Sequence, residues 1–394
     1  MPGPLHGYRI IDLTQMISGP VATMILGDQG ADVIKVEPPG GGDLVRQLGA
    51  RRGGMAPTFV TSNRNKRSIV LDLKRAQGLA LLERLVAGSD AFVQNFRPGK
   101  AEAMGIGEAA LRRVRPDLVY VSISGFGEKG PYAGKRVYDP IIQALSGLAD
   151  IQSDRATGRP RMVRVIVPDK LTAVTAAQGI TAALLARERT GQGQHVRLSM
   201  LDATVSFLWP EGMSAHTFLD GPERGPRPSL AQDLIFETAD GYITAGAVSD
   251  AEWEGLARVV ERPEWLEDER FQTAAGRVAH VEDRLQLLAE VLRNRSSAEW
   301  LARFDAAQVP CAPVLRREDV PDHPQIRAND LIVESVHPHA GPMREARPAV
   351  RFDRTPADIR RHAPALGEHT DEILTGLGCD PTEIRALREA RVVA

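Results

Sequence analysis

Asp169 is the residue of this 394-residue chain whose surroundings best suit it to chemistry. An apolar run at 163–167, interrupted only by Arg164, predicts a short strand that leads through Pro168 into this carboxylate. A long helix rich in small residues is predicted over 170–189. A carboxylate at this position can cap the helix, because the helix dipole favours negative charge at its N-terminus. Local pattern alone therefore favours a structural cap, with a reactive carboxylate as the second interpretation.

Four cationic side chains, Arg64, Lys66, Arg67 and Lys74, surround a strand predicted at 68–73. Arginine and lysine form charge-assisted hydrogen bonds with phosphates, so this cation cluster suits a polyanionic ligand. A solvated basic edge explains it equally well. The glycine-rich stretch 37–43 could cradle a phosphate through its backbone N–H groups, but it lacks the spacing of a dinucleotide-binding loop. An ordinary surface loop is the simpler interpretation of that stretch.

Polar and aromatic residues follow further predicted strands. Asn95, Phe96 and Arg97 come directly after an apolar strand at 90–94, and a glycine-laden loop follows the strand at 118–124. The segment 136–139 then opens another predicted helix, with Asp139 as a second candidate cap. In parallel sheets, ligands bind at the carboxyl ends of the strands. The placement of these groups, more than any one of them, predicts a binding site.

Strand-like and helix-like segments alternate through the first half of the chain. Strands are predicted at 8–14, 31–37, 68–73, 90–94, 118–124 and 195–199, and helices at 19–27, 77–87, 139–148 and 170–189. This alternation predicts an α/β fold with a doubly wound, mostly parallel, Rossmann-like sheet.

The later composition predicts a second, smaller domain. A turn-rich stretch at 220–229 precedes a hairpin pattern at 234–245 and amphipathic helices at 252–260 and 281–292. We predict five parts: a large α/β domain at 1–200, a linker at 201–225, a smaller inserted α+β domain at 226–325, a second linker at 326–348, and a C-terminal segment at 349–394 that returns to the large domain.

Bulk properties narrow the possible partners. The formal net charge of -2 gives no basic footprint for nucleic acid. The nine histidines and two cysteines show no zinc-site spacing, so no metal is expected. Neither a signal-peptide pattern nor an apolar run long enough to cross a bilayer occurs in the sequence. We expect a soluble cytoplasmic protein with no membrane or nucleic-acid partner.

Several ordered motifs together resemble the class III CoA-transferases, a family that includes formyl-CoA and carnitine CoA-transferases and the α-methylacyl-CoA racemases. The resemblance runs from Leu5 to about Asp202 and resumes weakly at 366–374. The segments that carry it are Ile-Asp-Leu-Thr at 11–14 with Gly-Pro at 19–20, Gly-Ala-Asp-Val-Ile-Lys-Val-Glu at 30–37, Asn-Lys-Arg-Ser-Ile-Val-Leu-Asp-Leu-Lys at 65–74, Asn-Phe-Arg-Pro-Gly at 95–99, Tyr-Asp at 138–139 and Gln-Ala-Leu-Ser-Gly at 143–147.

The resemblance implies a role for each matching position. Asp169 stands where the family has its nucleophilic aspartate. Coenzyme A, as CoA or acyl-CoA substrate, would contact Ile17 and Ser18; Leu71, Asp72, Leu73 and Lys74; Asn95, Phe96 and Arg97; and Arg136, Val137, Tyr138 and Asp139. The second substrate would be a carboxylic acid. The family also forms interlocked dimers, so a homodimer is expected.

The implied reaction is acyl-CoA:carboxylate CoA transfer through an aspartyl-CoA thioester on Asp169. Pro38 and Ala103 replace arginines that some members place on the adenine and a phosphate, which argues against formyl or oxalyl substrates. The racemases carry a His-Asp pair where this chain has Tyr138 and Asp139, and a phenol is a poor base near neutral pH. Racemase-type α-proton transfer on a 2-methylacyl-CoA and non-catalytic CoA binding remain alternatives.

Overall fold

The computed structural model describes residues 2–154, 157–219 and 233–394. The chain forms two compact units, of which the first comprises Met1–Pro210 and Ala328–Ala394 and the second Glu211–Arg327. The second unit therefore interrupts the first in sequence. The turn-rich stretch predicted at 220–229 lies outside the described residues.

A six-stranded sheet forms the centre of the first unit. Its strands are β1 (Arg9–Asp12), β2 (Asp32–Glu37), β3 (Lys66–Val70), β4 (Ala91–Gln94), β5 (Val119–Ser124) and β6 (His195–Ser199). All neighbours pair in parallel, in the order β3-β2-β1-β4-β5-β6. This confirms the predicted doubly wound parallel sheet. Strand order reverses between β1 and β4, and ligands bind at such a switch point.

In the described residues before the second unit, nine segments form α-helices. They are α1 (Ser18–Asp28), α2 (Pro57–Asn63), α3 (Ala76–Ala87), α4 (Lys100–Ala103), α5 (Glu108–Val114), α6 (Asp139–Leu145), α7 (Leu148–Ile151), α8 (Val167–Thr190) and α9 (Met200–Leu208). Helices α1 and α8 cover one face of the sheet, where Ile10, Val33 and Val121 pack against Leu26 and Ile180. The buried alanines Ala173, Ala176, Ala177 and Ala183 on α8 allow this close approach.

The predicted strand at 163–167 is wrong. Residues 161–166 follow no regular structure, and α8 already begins at Val167. Val165 is exposed, so this apolar run does not enter the sheet. An isolated run of apolar side chains cannot pair as a strand where no neighbouring strand edge is available.

The second unit has its own sheet and core. It contains β7 (Ile235–Glu237), β8 (Tyr242–Ala245) and β9 (Cys311–Pro313), which pair antiparallel, with α10 (Asp250–Val259), α11 (Ala274–Ala279), α12 (Val281–Leu292) and α13 (Ser297–Ala306). Its core is rich in large aromatic side chains, including Trp253, Trp265, Phe271, Trp300 and Phe304.

The chain then returns to the first unit through α14 (Pro324–Ala328), β10 (Ile332–His337), β11 (Gly341–Ala346), α15 (Thr370–Gly376) and α16 (Pro381–Glu389). Helices α15 and α16 cover the second face of the large sheet beside α3 and α5. Two expected linkers are corrected. Residues 326–348 include an antiparallel hairpin, β10–β11, and residues 201–225 begin inside α9. Alternating polar residues masked the hairpin in the sequence.

Candidate active site

Asp169 lies in the first turn of α8, as its third residue. Ile166 is the residue that caps the helix, and it makes no side-chain capping bond. The interpretation of Asp169 as the N-cap is therefore wrong. Its backbone N–H instead donates to Oδ2 of Asp139 at 3.2 Å, which leaves the Asp169 carboxylate available for other partners.

The partners of that carboxylate come from the start of α1. The hydroxyl and the backbone N–H of Ser18 face the Asp169 carboxylate and act to lower its pKa. Burial, together with the nearby charge of Asp139, outweighs the effect of Ser18 and raises the pKa of Asp169 to about 6. A half-buried carboxylate thus sits where the N-termini of two helices meet, and both helix dipoles favour negative charge there.

Asp139 and Gln143 fix the segment that leads into Asp169. Asp139 is the first residue of α6, is 2% exposed, and accepts from Nε2 of Gln143 at 2.6 Å. The Gln143 amide also brackets the main chain of Val163, donating to its carbonyl at 3.2 Å and accepting from its N–H at 2.9 Å. These contacts explain how an irregular segment can place Asp169 reproducibly.

The predicted contacts at the first and third segments have different surroundings. Ile17 is buried in a small core cluster with Val45 and Phe59. The Asn95 amide brackets the main chain of Gln15, accepting from its N–H at 2.9 Å and donating to its carbonyl at 2.8 Å. Its polar atoms are thus engaged in holding the loop between β1 and α1.

Phe96 and Arg97 line a cleft of about 880 Å³ at the carboxyl ends of β4 and β5. Gln94 and Ser122 line the same cleft, which fits the expected site at this edge of the sheet. Asp169 is not part of its lining. Phe96 and Arg97 therefore line the same cleft, whereas the carboxylate of Asp169 lies outside it.

In the second predicted segment, Leu71 belongs to the core and Leu73 packs partly against it. Asp72 is structural: its N–H donates to the carbonyl of Val392, and its carboxylate accepts from the N–H of Lys74 at 3.1 Å. Lys74 itself is exposed. Of these four residues, Lys74 is the one with a cationic group that a ligand could reach.

The fourth segment divides in the same way. Arg136 is exposed, and Tyr138 is 62% exposed at the cap position of α6. Val137 is half-buried and touches the cluster of Phe126 and Ile142. Asp139, as described above, is the member of this segment that contacts Asp169.

The cation cluster at 64–74 is not a polyanion site, nor is it a solvated edge. Arg64 pairs with Asp28 and Glu345 at 2.8 and 2.7 Å, and Lys66 pairs with Asp12 at 2.9 Å with both side chains fully buried. Arg67 pairs with Asp32 and Glu372. Three of the four cations thus form ion pairs within the fold, and Lys74 is the one that is exposed to solvent.

Sequence reasoning missed two further groups. Asp43, at the end of the glycine-rich stretch, is fully buried beside Lys35 and accepts from the N–H of Met16. In the cleft, the hydroxyl of Ser122 lies 2.8 Å from Nε2 of His195. The glycines that precede Asp43 were the feature of the sequence that could have drawn attention to this residue. For His195, only its place in the last parallel strand could have pointed to the cleft.

Two findings concern other kinds of site. Across residues 2–154, 157–219 and 233–394, no three histidine, cysteine, aspartate or glutamate side chains group together as a metal site would require. In the same part of the chain, no helix combines the length and apolar character needed to cross a membrane.

Comparison with known proteins identifies the family of this chain. The sequence model of CoA-transferase family III matches residues 5–370. The human succinyl-CoA:glutarate CoA-transferase is 34% identical over 99% of this chain and 90% of its own length. The formyl-CoA:oxalate CoA-transferase of Shigella sonnei is 31% identical over the whole of both chains. A crystal structure of a CAIB/BAIF family protein from Brucella suis superposes with a TM-score of 0.82 at 30% identity, covering 96% of this chain and 100% of that one. The chain belongs to CoA-transferase family III and is a CoA-transferase.

Proposed function

We propose that this enzyme moves CoA between two carboxylic acids through a covalent thioester on Asp169. The observation that carries the proposal is the Asp169 carboxylate itself, half-buried at two helix N-termini, with a pKa raised to about 6. A carboxylate of this kind is ionised at neutral pH yet only weakly solvated, which favours nucleophilic attack. Asp139 accepts from the backbone N–H of Asp169, and Ser18 faces the carboxylate.

The proposed reaction has four steps. The Asp169 carboxylate attacks the thioester carbonyl of the donor, giving a mixed anhydride and the CoA thiolate. The thiolate then attacks the aspartyl carbonyl, which releases the donor acid and leaves aspartyl-CoA thioester. The acceptor carboxylate attacks this thioester to give a second mixed anhydride and thiolate. The thiolate finally attacks the acceptor acyl carbon, so that the new acyl-CoA leaves and Asp169 is regenerated.

Ser18 and the two helix N-termini would stabilise the negative charge that develops in each tetrahedral intermediate. The hydroxyl and N–H of Ser18 already point at the carboxylate, so they need no reorganisation during the reaction. The role of Asp139 would be to hold the main chain at Asp169 through the 3.2 Å hydrogen bond.

We place CoA along the predicted contact segments, with its thiol end at Asp169 and its nucleotide towards Lys74 and Arg97. Both cations are exposed, and Arg97 lines the cleft at the sheet edge together with Phe96, whose ring offers a stacking surface. Buried Ile17 and Leu71 and half-buried Asn95 would support this surface through the loops that they hold. Loss of CoA affinity in both Lys74→Ala and Arg97→Ala would support this placement.

The acids themselves are proposed from the relatives. Succinyl-CoA with glutarate is the first pair to test, because the human relative is named for it. Pro38 and Ala103, where the family resemblance leads to arginines, argue against formyl-CoA with oxalate.

We also propose that the enzyme is a homodimer. Helices α6, α8 and α9 pack on one another, and they present Ile141, Leu145, Val174, Leu185 and Phe207 to solvent. Exposed apolar side chains on helices that pack together favour an interaction site, and a second copy is the partner expected for this family. Light scattering should give about twice 42.8 kDa for the native chain, and a lower mass for Val174→Glu with Leu185→Glu. A native monomer at micromolar concentration would contradict the proposal.

Covalent trapping tests the mechanism directly. After incubation with succinyl-CoA and treatment with hydroxylamine, mass spectrometry should find modification of the peptide that contains Asp169. Asp169→Asn keeps the size of the side chain but removes the nucleophile, so transfer should fall by about 10³-fold or more while the fold survives.

Asp371→Asn is the matched control, since Asp371 lies in the first turn of α15 and forms a surface ion pair with Arg388. This control variant should be modified at the peptide that contains Asp169 and should transfer CoA like the native enzyme. Full transfer by Asp169→Asn, with reversion to aspartate excluded by mass, would refute the covalent mechanism. Exchange of solvent deuterium at the α-carbon without CoA transfer would instead indicate racemase chemistry.

A further inference from the structure

The loop between β1 and α1 is held in place by side chains. The N–H of Thr14 donates to Asp12 at 2.8 Å, and the carbonyl of Thr14 accepts from Nζ of Lys35 at 2.8 Å. Asn95 brackets the next residue, Gln15. These bonds leave little freedom to a loop that carries no regular structure of its own.

Met16 has the least favourable conformation in this loop. Its φ is 68°, in the left-handed region that side chains other than glycine rarely occupy. Its N–H donates to Oδ1 of Asp43 at 3.0 Å, and Oδ2 of Asp43 accepts from Lys35 at 3.0 Å. Asp43 and Lys35 are both 0% exposed, so their positions are fixed by the core. A buried ion pair thus stabilises a strained backbone conformation.

The residues that follow Met16 reach the active carboxylate. Ile17 is the N-cap residue of α1, and Ser18, the first residue of this helix, presents its N–H and its hydroxyl to Asp169. Any change in the backbone at Met16 would turn these donors relative to Asp169. Asp43 is therefore linked to the carboxylate of Asp169 through its hydrogen bond with Met16 and the short segment 16–18.

We propose that Asp43, held by Lys35, is a positioning residue that keeps Met16 in its left-handed conformation and thereby aims the donors of Ser18 at Asp169. The inference rests on the proposed function, in which Asp169 is the nucleophile. The charged groups that face Asp43 are Lys35 and Glu37. Lys35 donates to the Asp43 carboxylate, and Glu37 accepts from the Asp43 backbone N–H. Glu37 is itself paired with Arg46. The charged group that faces Asp169 is Asp139.

The direct test replaces Asp43 by asparagine and follows the titration of Asp169. The protein is labelled with ¹³C at aspartate carboxyl carbons, and the Asp169 signal is assigned by its absence in Asp169→Asn. In Asp43→Asn the midpoint of this titration should move to higher pH, because Ser18 no longer stabilises the ionised form as well. The kcat should fall about tenfold or more while KM changes little.

The matched control is Asp28→Asn, which breaks a buried ion pair with Arg64 at the other end of α1. It should leave both the Asp169 titration and the kcat unchanged. An unchanged titration in Asp43→Asn, or an equal shift in Asp28→Asn, would overturn the proposal. The titration needs no turnover, so it is independent of whether the transferase mechanism is correct.

Two variants test the same link without breaking the ion pair, and they apply even if Asp43→Asn does not fold. Met16→Val should shift the Asp169 titration upward, because a β-branched residue at positive φ is more strained. Met16→Gly should leave it as in the native enzyme and should restore it in the Asp43→Asn background, since glycine adopts this conformation without strain. A native titration in Met16→Val, or no rescue by Met16→Gly, would contradict the assigned role.

Discussion

The two ends of α1 each lie beside a buried aspartate, and the pKa values of these carboxyl groups shift in opposite directions. Asp12 lies at the N-terminal end, where Lys66, Lys35 and Thr14 overcome the effect of burial and lower its pKa to about 2. At the C-terminal end, burial raises the pKa of Asp28, and Arg64 offsets this only in part. The helix dipole acts in the same sense, since it favours an anion at the N-terminus and disfavours one at the C-terminus.

The two ends also connect different parts of the chain. At the N-terminal end, the buried charges of β1, β2 and β3 converge on one loop, which carries Ser18 to Asp169. At the C-terminal end, Arg64 joins Asp28 to Glu345 on β11, so this cluster ties the returning chain to the sheet. The comparison indicates that one ion cluster lies next to the proposed active site and that the other ties the returning chain to the sheet.

Breaking either cluster should have the largest effect on stability. Asp12→Ala leaves the charge of Lys66 buried without its partner, and Asp28→Ala does the same to Arg64. Each change should lower the free energy of unfolding by about 3–5 kcal/mol. Urea unfolding at pH 7 measures this loss. Measuring kcat per folded molecule then shows whether the change at each end of α1 also affects catalysis.

Only Asp12→Ala should also reduce kcat, because it releases Thr14 at the active-site loop. Equal losses of kcat in both variants would remove the distinction between the two clusters.

The glycines of α1 offer a second contrast. A Cβ at residue 19 would lie 2.3 Å from Cβ of Thr14, whereas one at residue 27 would lie 3.2 Å from Cβ of Asn65. Gly19→Ala should therefore cost about 2–3 kcal/mol of unfolding free energy and disturb the loop, and Gly27→Ala should cost less. Thermal or urea unfolding of both variants compares the two losses of stability. A larger loss in Gly27→Ala would show that the loop at Thr14 shifts easily to accommodate the added Cβ.

The pH dependence of stability should separate the two aspartates. Asp12 has a lowered pKa in the folded state, so its contribution is present above about pH 4 and is lost as the pH falls towards 2, by about 2 kcal/mol. Asp28 has a raised pKa, so its contribution is present at low pH and is lost as the pH rises through its folded-state pKa.

Urea unfolding between pH 2.5 and 7 tests this difference. The destabilisation caused by Asp12→Asn should shrink towards low pH, whereas Asp28→Asn should become relatively more stable as the pH rises. Parallel profiles for the two variants would contradict the opposite shifts.

The smallest expected effect is at Ser18. The kcat/KM of the native enzyme should fall as the pH drops through about 6, because Asp169 must be ionised. Ser18→Ala removes the hydroxyl donor, so it should lower kcat/KM about two- to threefold at pH 8, where the intermediates lose a stabilising group, and about two- to threefold further at pH 6, where less Asp169 is ionised. Ser296→Ala, which removes the cap of α13, should leave the pH profile unchanged. An equal loss at both pH values would mean that Ser18 does not act through the ionisation of Asp169.

Local pattern was enough for most of the large domain. Short apolar runs at β1, β2, β4 and β5, alternating with helix-like segments, predicted the parallel sheet. Strands that are buried on both faces need such nearly continuous apolar side chains. The aspartate at the start of α8 and its resemblance to a family nucleophile also required no coordinates. The hairpin β10–β11 could not be predicted in the same way, since its strands alternate half-buried and exposed residues.

What the sequence alone determined about this protein is its type of fold, its family and the residue that we propose as the nucleophile. What only the tertiary structure decided is which charged side chains are free to contact a ligand and which form ion pairs within the fold. Arg64, Lys66 and Arg67 look like a ligand site in sequence, yet each meets an acid from a distant segment and is consumed by the fold. Asp43 looks like part of a loop, yet it is buried where it can act on Met16. The physical reason is that burial makes an ion pair favourable only when its partner is close, and chain distance gives no measure of that closeness.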